Sequence, residues 1–272
     1  MKQDKRAKVL LCIDNEAGYA TLVYLLSRSS VEVVAAIVHP EHNAMLLDKI
    51  SALCASENIK VFDIKTAREC FDTLIAPLVP DYIVSIYFDY ILDDRFIRLP
   101  TQTSINLHPG YLPYNKGFYY YAWAVLDGTP AGVSIHQIVS EVDAGPIISQ
   151  QRVLVDPTDT GDVIYQKHMN ASIELFQATW PSVETNTYKV YPQSHRGTRK
   201  KITETNSAME IDPYATYRAR DLIDTLRVFC FPGHGGCVMD IDGKKYSIGI
   251  QFSEVVDNVN RTMGKKDNYL VG

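Results

Sequence analysis

Cysteine is scarce in this sequence of 272 residues, and its count of five is odd. The five cysteines are spread from Cys12 to Cys237, so they do not form the framework of a small disulfide-bonded secreted protein. Long hydrophobic runs are also missing. Behind the charged start, the apolar run Val9–Ile13 is too short for a signal peptide and far short of the roughly 20 residues that span a bilayer. We therefore expect a cytoplasmic protein with no membrane partner.

A surplus of positive charge is missing too. The chain has 27 Lys+Arg against 32 Asp+Glu, a formal net charge of −5, which argues against general binding to nucleic acid. Glycine is sparse where a dinucleotide-binding fold needs it, because the turn Asp14–Gly18 has one glycine in place of Gly-x-Gly-x-x-Gly. Tyrosine, in contrast, is abundant: eight of the 17 tyrosines fall between Tyr82 and Tyr121.

The first hundred residues alternate apolar runs with helical patterns. The helical patterns are Thr21–Ser29 and Ala44–Glu57. Buried strands are predicted at Val9–Ile13, Val31–Val38, Lys60–Phe62, Tyr82–Ile86 and Ser104–Asn106. Such alternation indicates βαβ units and an α/β fold with a mostly parallel sheet flanked by helices. Ligands of such sheets bind outside the carboxyl ends of the strands, so we expect the chemistry in the loops after Ile13, Ile86 and Asn106.

The pattern changes from Gly132 onward. It predicts two strands, Gly132–Gln137 and Ile147–Val155, and a long helix from Thr160 to Glu184. Pro181 and Pro192 bracket an expected boundary, which gives a catalytic domain at 1–188 and a small α+β subdomain at 189–272. In the subdomain we expect a helix at Tyr217–Val228 and a hairpin turned by Asp242-Gly243, with strands Val238–Ile241 and Lys244–Ile250.

The strongest chemical signal is the stretch from Ser104 to Gly117. Asn106 and His108 lie two residues apart at the end of a predicted strand, and an extended chain points both side chains to the same side. An amide and an imidazole at one point suit acyl chemistry, where one stabilises an oxyanion and the other moves a proton. The pattern Asn-x-His is weak evidence by itself. The proline and glycine residues that follow it favour a functional role, because they indicate a shaped loop over Asn106 and His108.

Asp143 is the third candidate for the chemistry. It lies in the loop between the strands that start at Gly132 and Ile147. If this loop folds against Asn106, the Asp143 carboxylate can hydrogen-bond His108, set its tautomer and stabilise its cation. The spacing by itself does not establish that contact. His136, inside the strand before the loop, is interpreted as a packed or hydrogen-bonded histidine.

Four motifs together resemble those of the folate-dependent formyltransferases. They are Asn106-x-His108, Leu112-Pro113-Tyr114-x-Lys116-Gly117, Gly132-Val-x-Ile-His136 and Val142-Asp143-x-Gly145-Pro146-Ile147. The resemblance covers about residues 8–185. Within that family the chain is most similar to the sugar-nucleotide N-formyltransferases. The resemblance implies a Rossmann-like formyltransferase fold with a C-terminal appendage that helps to hold a sugar nucleotide.

The resemblance also implies a reaction. The donor would be N10-formyltetrahydrofolate, and the acceptor the amine of a dTDP-linked 3-amino or 4-amino dideoxyhexose used for surface polysaccharide, such as O-antigen. His108 would remove the proton of the attacking amine with the help of Asp143, and Asn106 would stabilise the oxyanion. An amine must be neutral to attack, and a histidine titrates where such proton removal is feasible near pH 7. Neither the position of the amine, the sugar configuration nor the choice among dTDP, GDP and UDP follows from the sequence.

Binding residues are implied by the same resemblance. The folate would lie against two segments whose backbone carries the recognition, formed by Tyr87, Phe88, Tyr90, Ile91 and Leu92 and by Val139, Ser140 and Glu141. The acceptor would meet Lys116, Tyr120, Tyr121, Phe231 and His234. Here the chain departs from the family, since tyrosines replace an Asp-Pro-Asn type sequence before Trp123 and a histidine stands where an aromatic commonly stacks on the base.

Two further patterns in the sequence concern a metal site and a basic loop. Cys230, His234 and Cys237 offer three zinc ligands, whereas structural zinc sites have four, so we expect no metal. The basic loop His195–Lys201 is interpreted as a solvated loop or as a contact to the nucleotide diphosphate. Apolar hairpin residues are candidates for a homodimer contact: Val238, Met239, Tyr246 and Ile248.

Alternative functions also remain open. A formyltetrahydrofolate hydrolase would keep the same Asn106, His108 and Asp143. A methionyl-tRNA formyltransferase would need a basic C-terminal surface, and the last 80 or so residues are too neutral for one. Formylation of another amine, such as hydroxyornithine, is a further alternative. A non-catalytic nucleotide-binding module is the alternative from another class.

Overall fold

Apolar runs form the strands of one large sheet, as the sequence predicts. The computed structural model describes residues 6–231 and 236–255. In these residues the strands are β1 (Ala7–Ile13), β2 (Val31–Val38), β3 (Lys60–Asp63), β4 (Tyr82–Ile86), β5 (Thr103–His108), β6 (Lys116–Gly117), β7 (Gly132–Gln137), β8 (Ile147–Arg152), β9 (Arg199–Lys200), β10 (Glu210–Ile211), β11 (Cys237–Ile241) and β12 (Lys244–Ile248).

The helices fill most of the connections between these strands. They are α1 (Asn15–Leu26), α2 (Leu47–Ser56), α3 (Ile64–Glu69), α4 (Asp94–Arg98), α5 (Tyr120–Leu126), α6 (Gly161–Glu184), α7 (Ile202–Ala208) and α8 (Ala219–Val228), with short irregular turns at Glu41–Asn43 and at Phe71–Leu78. Among the described residues, no helix is both long and apolar enough to cross a membrane.

Seven strands form the central sheet in the order β3-β2-β1-β4-β5-β7-β8. The first five are parallel to one another, and β7 and β8 are added antiparallel at one side. The mostly parallel α/β fold expected from the sequence is therefore confirmed. The strand order reverses beside β1, which opens a crevice at the carboxyl ends of β1 and β4.

Both faces of the sheet are covered, which explains the unbroken apolar runs. In β1, Val9, Leu11 and Ile13 belong to the core on one face, and Leu10 and Cys12 to the core on the other. A strand buried on both faces needs an apolar side chain at every position.

Some helix boundaries differ from the prediction. Helix α1 begins at Asn15, inside the stretch predicted as a turn, because the Asp14 carbonyl accepts the N–H of Gly18 at 3.1 Å and the Asn15 side chain accepts the N–H of Ala17 at 2.9 Å. Helix α2 begins only at Leu47, because the backbone of Ala44 is extended, with ψ of 138°, and the N–H of Met45 that follows it is bonded to the Asp14 carboxylate at 3.0 Å.

Pro181 lies inside α6, which ends at Glu184 as the sequence predicts. A proline within a helix leaves the carbonyl four residues earlier without its usual N–H donor. Here that carbonyl belongs to Gln177, and it accepts the hydroxyl of Tyr24 at 3.2 Å. The helix can therefore continue to Glu184.

The chain after residue 188 packs against the first part. Strands β10, β11 and β12 form a small sheet, and β9 pairs with β6 in parallel. The hairpin β11–β12 matches the prediction closely. A third apolar cluster joins the two parts, with Tyr120, Tyr121, Ala122 and Ile164 on one side and Val228, Phe229 and Cys237 on the other.

Trp180 tests how strongly α6 stabilises the central sheet. Its ring is fully buried, stacked on Phe176 with centroids 5.7 Å apart and edge-on to Tyr82 at 5.5 Å. We expect Trp180→Ala to lower the free energy of unfolding by about 3–5 kcal/mol, because it leaves a cavity in a packed core. Urea denaturation measures this. Leu154→Ala, at a side chain 82% exposed, is the control, with an expected change within about 0.5 kcal/mol. Equal effects of the two substitutions would contradict the packing argument.

Candidate active site

Asn106 and His108 lie at the carboxyl end of β5, as predicted. Alternation along the strand buries Ile105 and Leu107 in the core and turns Asn106 and His108 to the opposite face. On that face both line a cleft of about 900 Å³. The imidazole of His108 is 6% exposed, so it lies at the bottom of the cleft rather than on its rim.

Asp143 reaches this point from the loop between β7 and β8. Its carboxylate lies between two imidazoles, with Oδ2 3.6 Å from His108 Nδ1 and Oδ1 3.5 Å from His136 Nε2. The N–H of Gly117 donates to Oδ2 at 3.3 Å. The structure thus brings together the three residues predicted to be catalytic.

The loop that carries Asp143 is held in a demanding conformation. Asp143 has φ of 54°, in the left-handed region. Its carbonyl and that of Gly145 both accept from Gln193 Nε2, at 2.8 and 2.9 Å. A Cβ on Gly145 would lie 1.8 Å from the carbonyl oxygen of Gln137, so only glycine fits. These constraints hold the Asp143 carboxylate in the cleft.

The proton positions of His108 follow from its partners. Its Nε2 lies 3.0 Å from the carbonyl oxygen of Asn115. A carbonyl can only accept, so Nε2 carries the hydrogen and the neutral ring has its lone pair on Nδ1. The Asp143 carboxylate, predicted to hydrogen-bond His108, lies 3.6 Å from Nδ1, which exceeds hydrogen-bonding distance. The carbonyl of Asn115, rather than Asp143, therefore sets the tautomer.

His136 is a member of the site that the sequence reasoning did not assign to it. Its Nδ1 donates to the carbonyl of Gln137 at 2.8 Å, which leaves Nε2 to accept from the Asn106 amide at 3.2 Å. The Asn106 amide group is thereby oriented with its NH₂ toward His136, and its second N–H is available to the cleft. The signal in the sequence was the position of His136 at the end of a strand that leads into the Asp143 loop.

Burial affects the protonation of both His108 and Asp143. It lowers the pKa of His108 below its usual range, although the charge of Asp143 and the carbonyl of Asn115 act in the opposite direction. Burial by itself would raise the pKa of Asp143, but the two imidazoles and the N–H of Gly117 outweigh it and hold that pKa well below its usual range. At neutral pH the site therefore holds a neutral imidazole beside an ionised carboxylate. The imidazole can accept a proton, and the carboxylate can stabilise the cation that results.

One wall of the cleft is formed by the segments expected to bind folate. Seven of the eight predicted residues line it: Tyr87, Phe88, Tyr90, Ile91, Leu92, Val139 and Ser140. Glu141 does not line it and is exposed. Tyr87 has φ of 49°, which turns the chain sharply after β4. The wall is mainly apolar, as a flat aromatic ligand requires.

The residues predicted to bind the acceptor are only partly brought together. Tyr120 lines the cleft, with its ring centroid 6.3 Å from that of His108 and 6.5 Å from that of Tyr87. Tyr121 and Phe231 pack on each other behind it at 5.7 Å and are outside the cleft lining. Lys116 is buried, with Nζ donating to the carbonyl of Arg196 at 3.1 Å, and burial lowers the pKa of its ammonium. His234 lies outside the described residues.

The basic segment near residue 200 forms the opposite lip of the cleft. Arg199, Lys200 and Lys201 line it together with Thr203 and Glu204. Lys200 is engaged already, 3.2 Å from Asp127 and 3.9 Å from the centre of the Trp123 ring. Arg199 and Lys201 have no ion-pair partner in the part of the chain that the structure describes. In the same residues there is no cluster of three or more His, Cys, Asp or Glu that could hold a metal.

Comparison with protein families gives two matches. The profile of the Formyl transferase family matches residues 4–179. The profile of the N-formyltransferase dimerization C-terminal domain matches residues 204–254. Together they cover both parts of the chain.

Individual proteins match as well. The bifunctional polymyxin resistance protein ArnA of Wigglesworthia glossinidia brevipalpis is 27% identical over 184 residues, 66% of this chain and 28% of that protein, so the chain spans less than a third of this relative. Among solved structures, a 4-N formyltransferase from Francisella tularensis has 21% identity and a TM-score of 0.78, over 92% of this chain and 99% of the other.

Two more structures share the fold. A sugar N-formyltransferase from Shewanella sp. has 20% identity and a TM-score of 0.76, over 92% of this chain and 99% of the other. The N-formyltransferase of Helicobacter canadensis, in complex with folinic acid and dTDP-3-aminofucose, has 20% identity and a TM-score of 0.65, over 88% of this chain and 86% of the other. At these identities the likeness establishes the fold.

The charge state of the site can be tested by titration. We expect the ring of His108 to titrate below pH 6.5, because burial disfavours its cation. Asp143→Asn removes the negative charge that favours the cation, so the pKa of His108 should fall further. Histidine ¹H–¹⁵N NMR on wild type and variant measures both values. Asp72→Asn, on an exposed residue away from the cleft, is the control and should leave them unchanged. A rise in the pKa of His108 in Asp143→Asn would contradict the assignment.

Proposed function

The chain belongs to the formyl transferase family, and from this we propose that it transfers the formyl group of N10-formyltetrahydrofolate to the amine of a dTDP-linked 3-amino or 4-amino dideoxyhexose. The observation that carries the proposal is the constellation of Asn106, His108 and Asp143 in a cleft with one apolar and one basic side. The product would serve surface polysaccharide biosynthesis, including O-antigen.

In the proposed reaction each catalytic group has one task. The neutral amine attacks the formyl carbon, a C–N bond forms, and the carbonyl electrons move to oxygen. The free N–H of Asn106 donates to that oxyanion, since a positioned donor in a dry site stabilises developing charge. His108 takes the amine proton on Nδ1, and Asp143, 3.6 Å away, stabilises the resulting imidazolium. The same proton then returns to the nitrogen of tetrahydrofolate as the old C–N bond breaks.

The donor would lie against the apolar wall. Tyr87–Leu92 and Val139–Ser140 form this wall and lead directly to Asn106 and His108, so a pterin bound there would present its formyl group to the pair. The Helicobacter enzyme is in complex with folinic acid, and a structure of a sugar 3N-formyl transferase was obtained in the presence of dTDP and 5-N-formyl-THF. These two relatives support a reduced folate as the donor.

The acceptor would enter from the basic side. Arg199 and Lys201 supply positive charge at the lip that has no ion-pair partner among the described residues, and Tyr120 offers a buried hydroxyl further in. A nucleotide diphosphate at the lip would therefore place its sugar between Tyr120 and His108. Tyr121 and Phe231 would act by packing behind Tyr120. We assign dTDP because the Helicobacter enzyme holds dTDP-3-aminofucose, although PseJ from Anoxybacillus kamchatkensis holds a UDP-linked sugar.

The assembly and location follow from the same premises. We infer a homodimer, because residues 204–254 match a domain named for dimerization and the hairpin residue Tyr246 is 48% exposed. We infer a cytoplasmic enzyme, because folates and nucleotide sugars are the substrates. The domain division remains the proposed one, with formyl transfer in 1–188 and acceptor binding aided by 189–272.

The test is an acceptor panel. The purified chain is incubated with formyl-folate and with dTDP-, UDP- and GDP-linked amino sugars, and the products are analysed by mass spectrometry for the gain of a formyl group. We expect formylation of a dTDP-linked amino sugar. Release of formate without any acceptor would identify a hydrolase instead. Absence of both turnover and folate binding would overturn the enzymatic function.

Arg199 tests the acceptor side of the proposal. Arg199→Gln removes a cation that would hydrogen-bond a phosphate, so we expect the KM for the acceptor to rise roughly tenfold while kcat changes less than about twofold. Steady-state kinetics with the acceptor varied measures both. Arg218→Gln, whose side chain pairs with Asp221 outside the cleft lining, is the matched control and should behave as wild type. An unchanged KM in Arg199→Gln would remove Arg199 from the acceptor site.

A further inference from the structure

The basic loop His195–Lys201, here called the strap, is bonded to the loop that follows β5. The backbone N–H of Lys116 donates to the carbonyl of Thr198 at 3.0 Å, and the N–H of Thr198 donates to the carbonyl of Pro113 at 3.3 Å. At Gly197, φ is +73° and a Cβ would lie 1.8 Å from the Pro113 oxygen. The strap therefore runs so close to this loop that only glycine fits at the contact.

Thr198 bonds both peptide groups of Asn115, the residue that holds His108. Its hydroxyl Oγ1 accepts the N–H of Asn115 at 2.9 Å, and its carbonyl accepts the next N–H, that of Lys116. The peptide between Asn115 and Lys116 presents its oxygen to His108 Nε2 at 3.0 Å. One residue of the strap thus fixes the carbonyl that sets the tautomer of His108.

The strap supports the Asp143 side as well. Gly117 pairs with Lys200 in the short ladder of β6 and β9, and the N–H of Gly117 donates to the Asp143 carboxylate. Lys116, between these two contacts, anchors its ammonium on the carbonyl of Arg196. Asn115 and Gly117 are therefore in contact with the strap on one side and with His108 or Asp143 on the other, and Lys116 between them is bonded to the strap through its backbone N–H and its ammonium.

We propose that Thr198 is a positioning residue for His108, which holds the Asn115 carbonyl so that the proton of the neutral ring stays on Nε2 and the basic lone pair on Nδ1 beside Asp143. The inference rests on the proposed function of His108 as the base. The strap would then be part of the catalytic apparatus, although it lies some ninety residues beyond His108 in the sequence. A base with its lone pair on the wrong nitrogen cannot take the proton of the amine, even when both substrates are bound.

Kinetics of three variants test the proposal. Thr198→Val keeps the shape of the side chain and removes the acceptor for the Asn115 N–H, so we expect kcat to fall roughly tenfold, with the KM of donor and acceptor within about twofold. Thr198→Ser restores the hydroxyl and should return kcat to within about threefold of wild type. Asp127→Asn weakens a side-chain contact of Lys200 but leaves its backbone pairing with Gly117 and the bonds of Thr198 in place, so it should keep kcat within about twofold. Loss of kcat in Asp127→Asn equal to that in Thr198→Val, or no loss in Thr198→Val, would overturn it.

A second readout does not depend on turnover. The ¹⁵N shifts of the histidine ring report the tautomer, and we expect His108 in the wild type to carry its hydrogen on Nε2. In Thr198→Val a mixture with the Nδ1–H form should appear, and Thr198→Ser should suppress it. If the chain formylates no amine but the tautomer responds in this way, the proposed function fails and the role of Thr198 stands. An Nδ1–H form in the wild type, or unchanged spectra in a folded Thr198→Val, would overturn the role of Thr198. Thr198→Ala replaces Thr198→Val if the valine variant does not fold.

Discussion

The buried carboxylate of Asp143 is the constraint on which the site depends. A charge with little access to water is tolerated only where it is compensated, and here the N–H of Gly117 donates to it, with His108 and His136 3.6 and 3.5 Å away. The same carboxylate would stabilise the cation that His108 forms when it accepts a proton. Gly145 and the Gln193 amide hold the loop in the conformation that places this carboxylate in the cleft. The charges of Asp143 and His108, rather than the sheet itself, therefore determine which chemistry the cleft can support.

Both parts of the chain line the cleft, so a division near residue 188 does not separate the site from the C-terminal region. Strands β4, β5 and β7 supply the apolar wall, the amide and the imidazoles, while the later residues supply the positive lip at Arg199 and the strap. The tyrosine-rich stretch lies between them, with Tyr87 on the donor side and Tyr120 beside His108. Burial of aromatic rings thus joins the sheet to the C-terminal region at the place where donor and acceptor would meet.

Much of this was predictable from the sequence. Strands buried on both faces appear as unbroken apolar runs, and a two-residue spacing at a strand end is enough to place Asn106 and His108 on one face. The start of α1 at Asn15 was not predictable, because it depends on single contacts made by the Asp14 carbonyl and the Asn15 side chain. Nor were the roles of His136 and Thr198 predictable. Each acts through a partner distant in the sequence, and composition and periodicity carry no information about such contacts.

The central claim is that His108 is the base that takes the proton of the acceptor amine. Its most direct test is His108→Gln, assayed for formyl transfer and, separately, for binding of a reduced folate by calorimetry. Glutamine fills a similar space but cannot accept the proton. The account predicts that kcat falls at least about a hundredfold while the Kd for folate is unchanged. Turnover within a few-fold of wild type, with folate still bound, would contradict it.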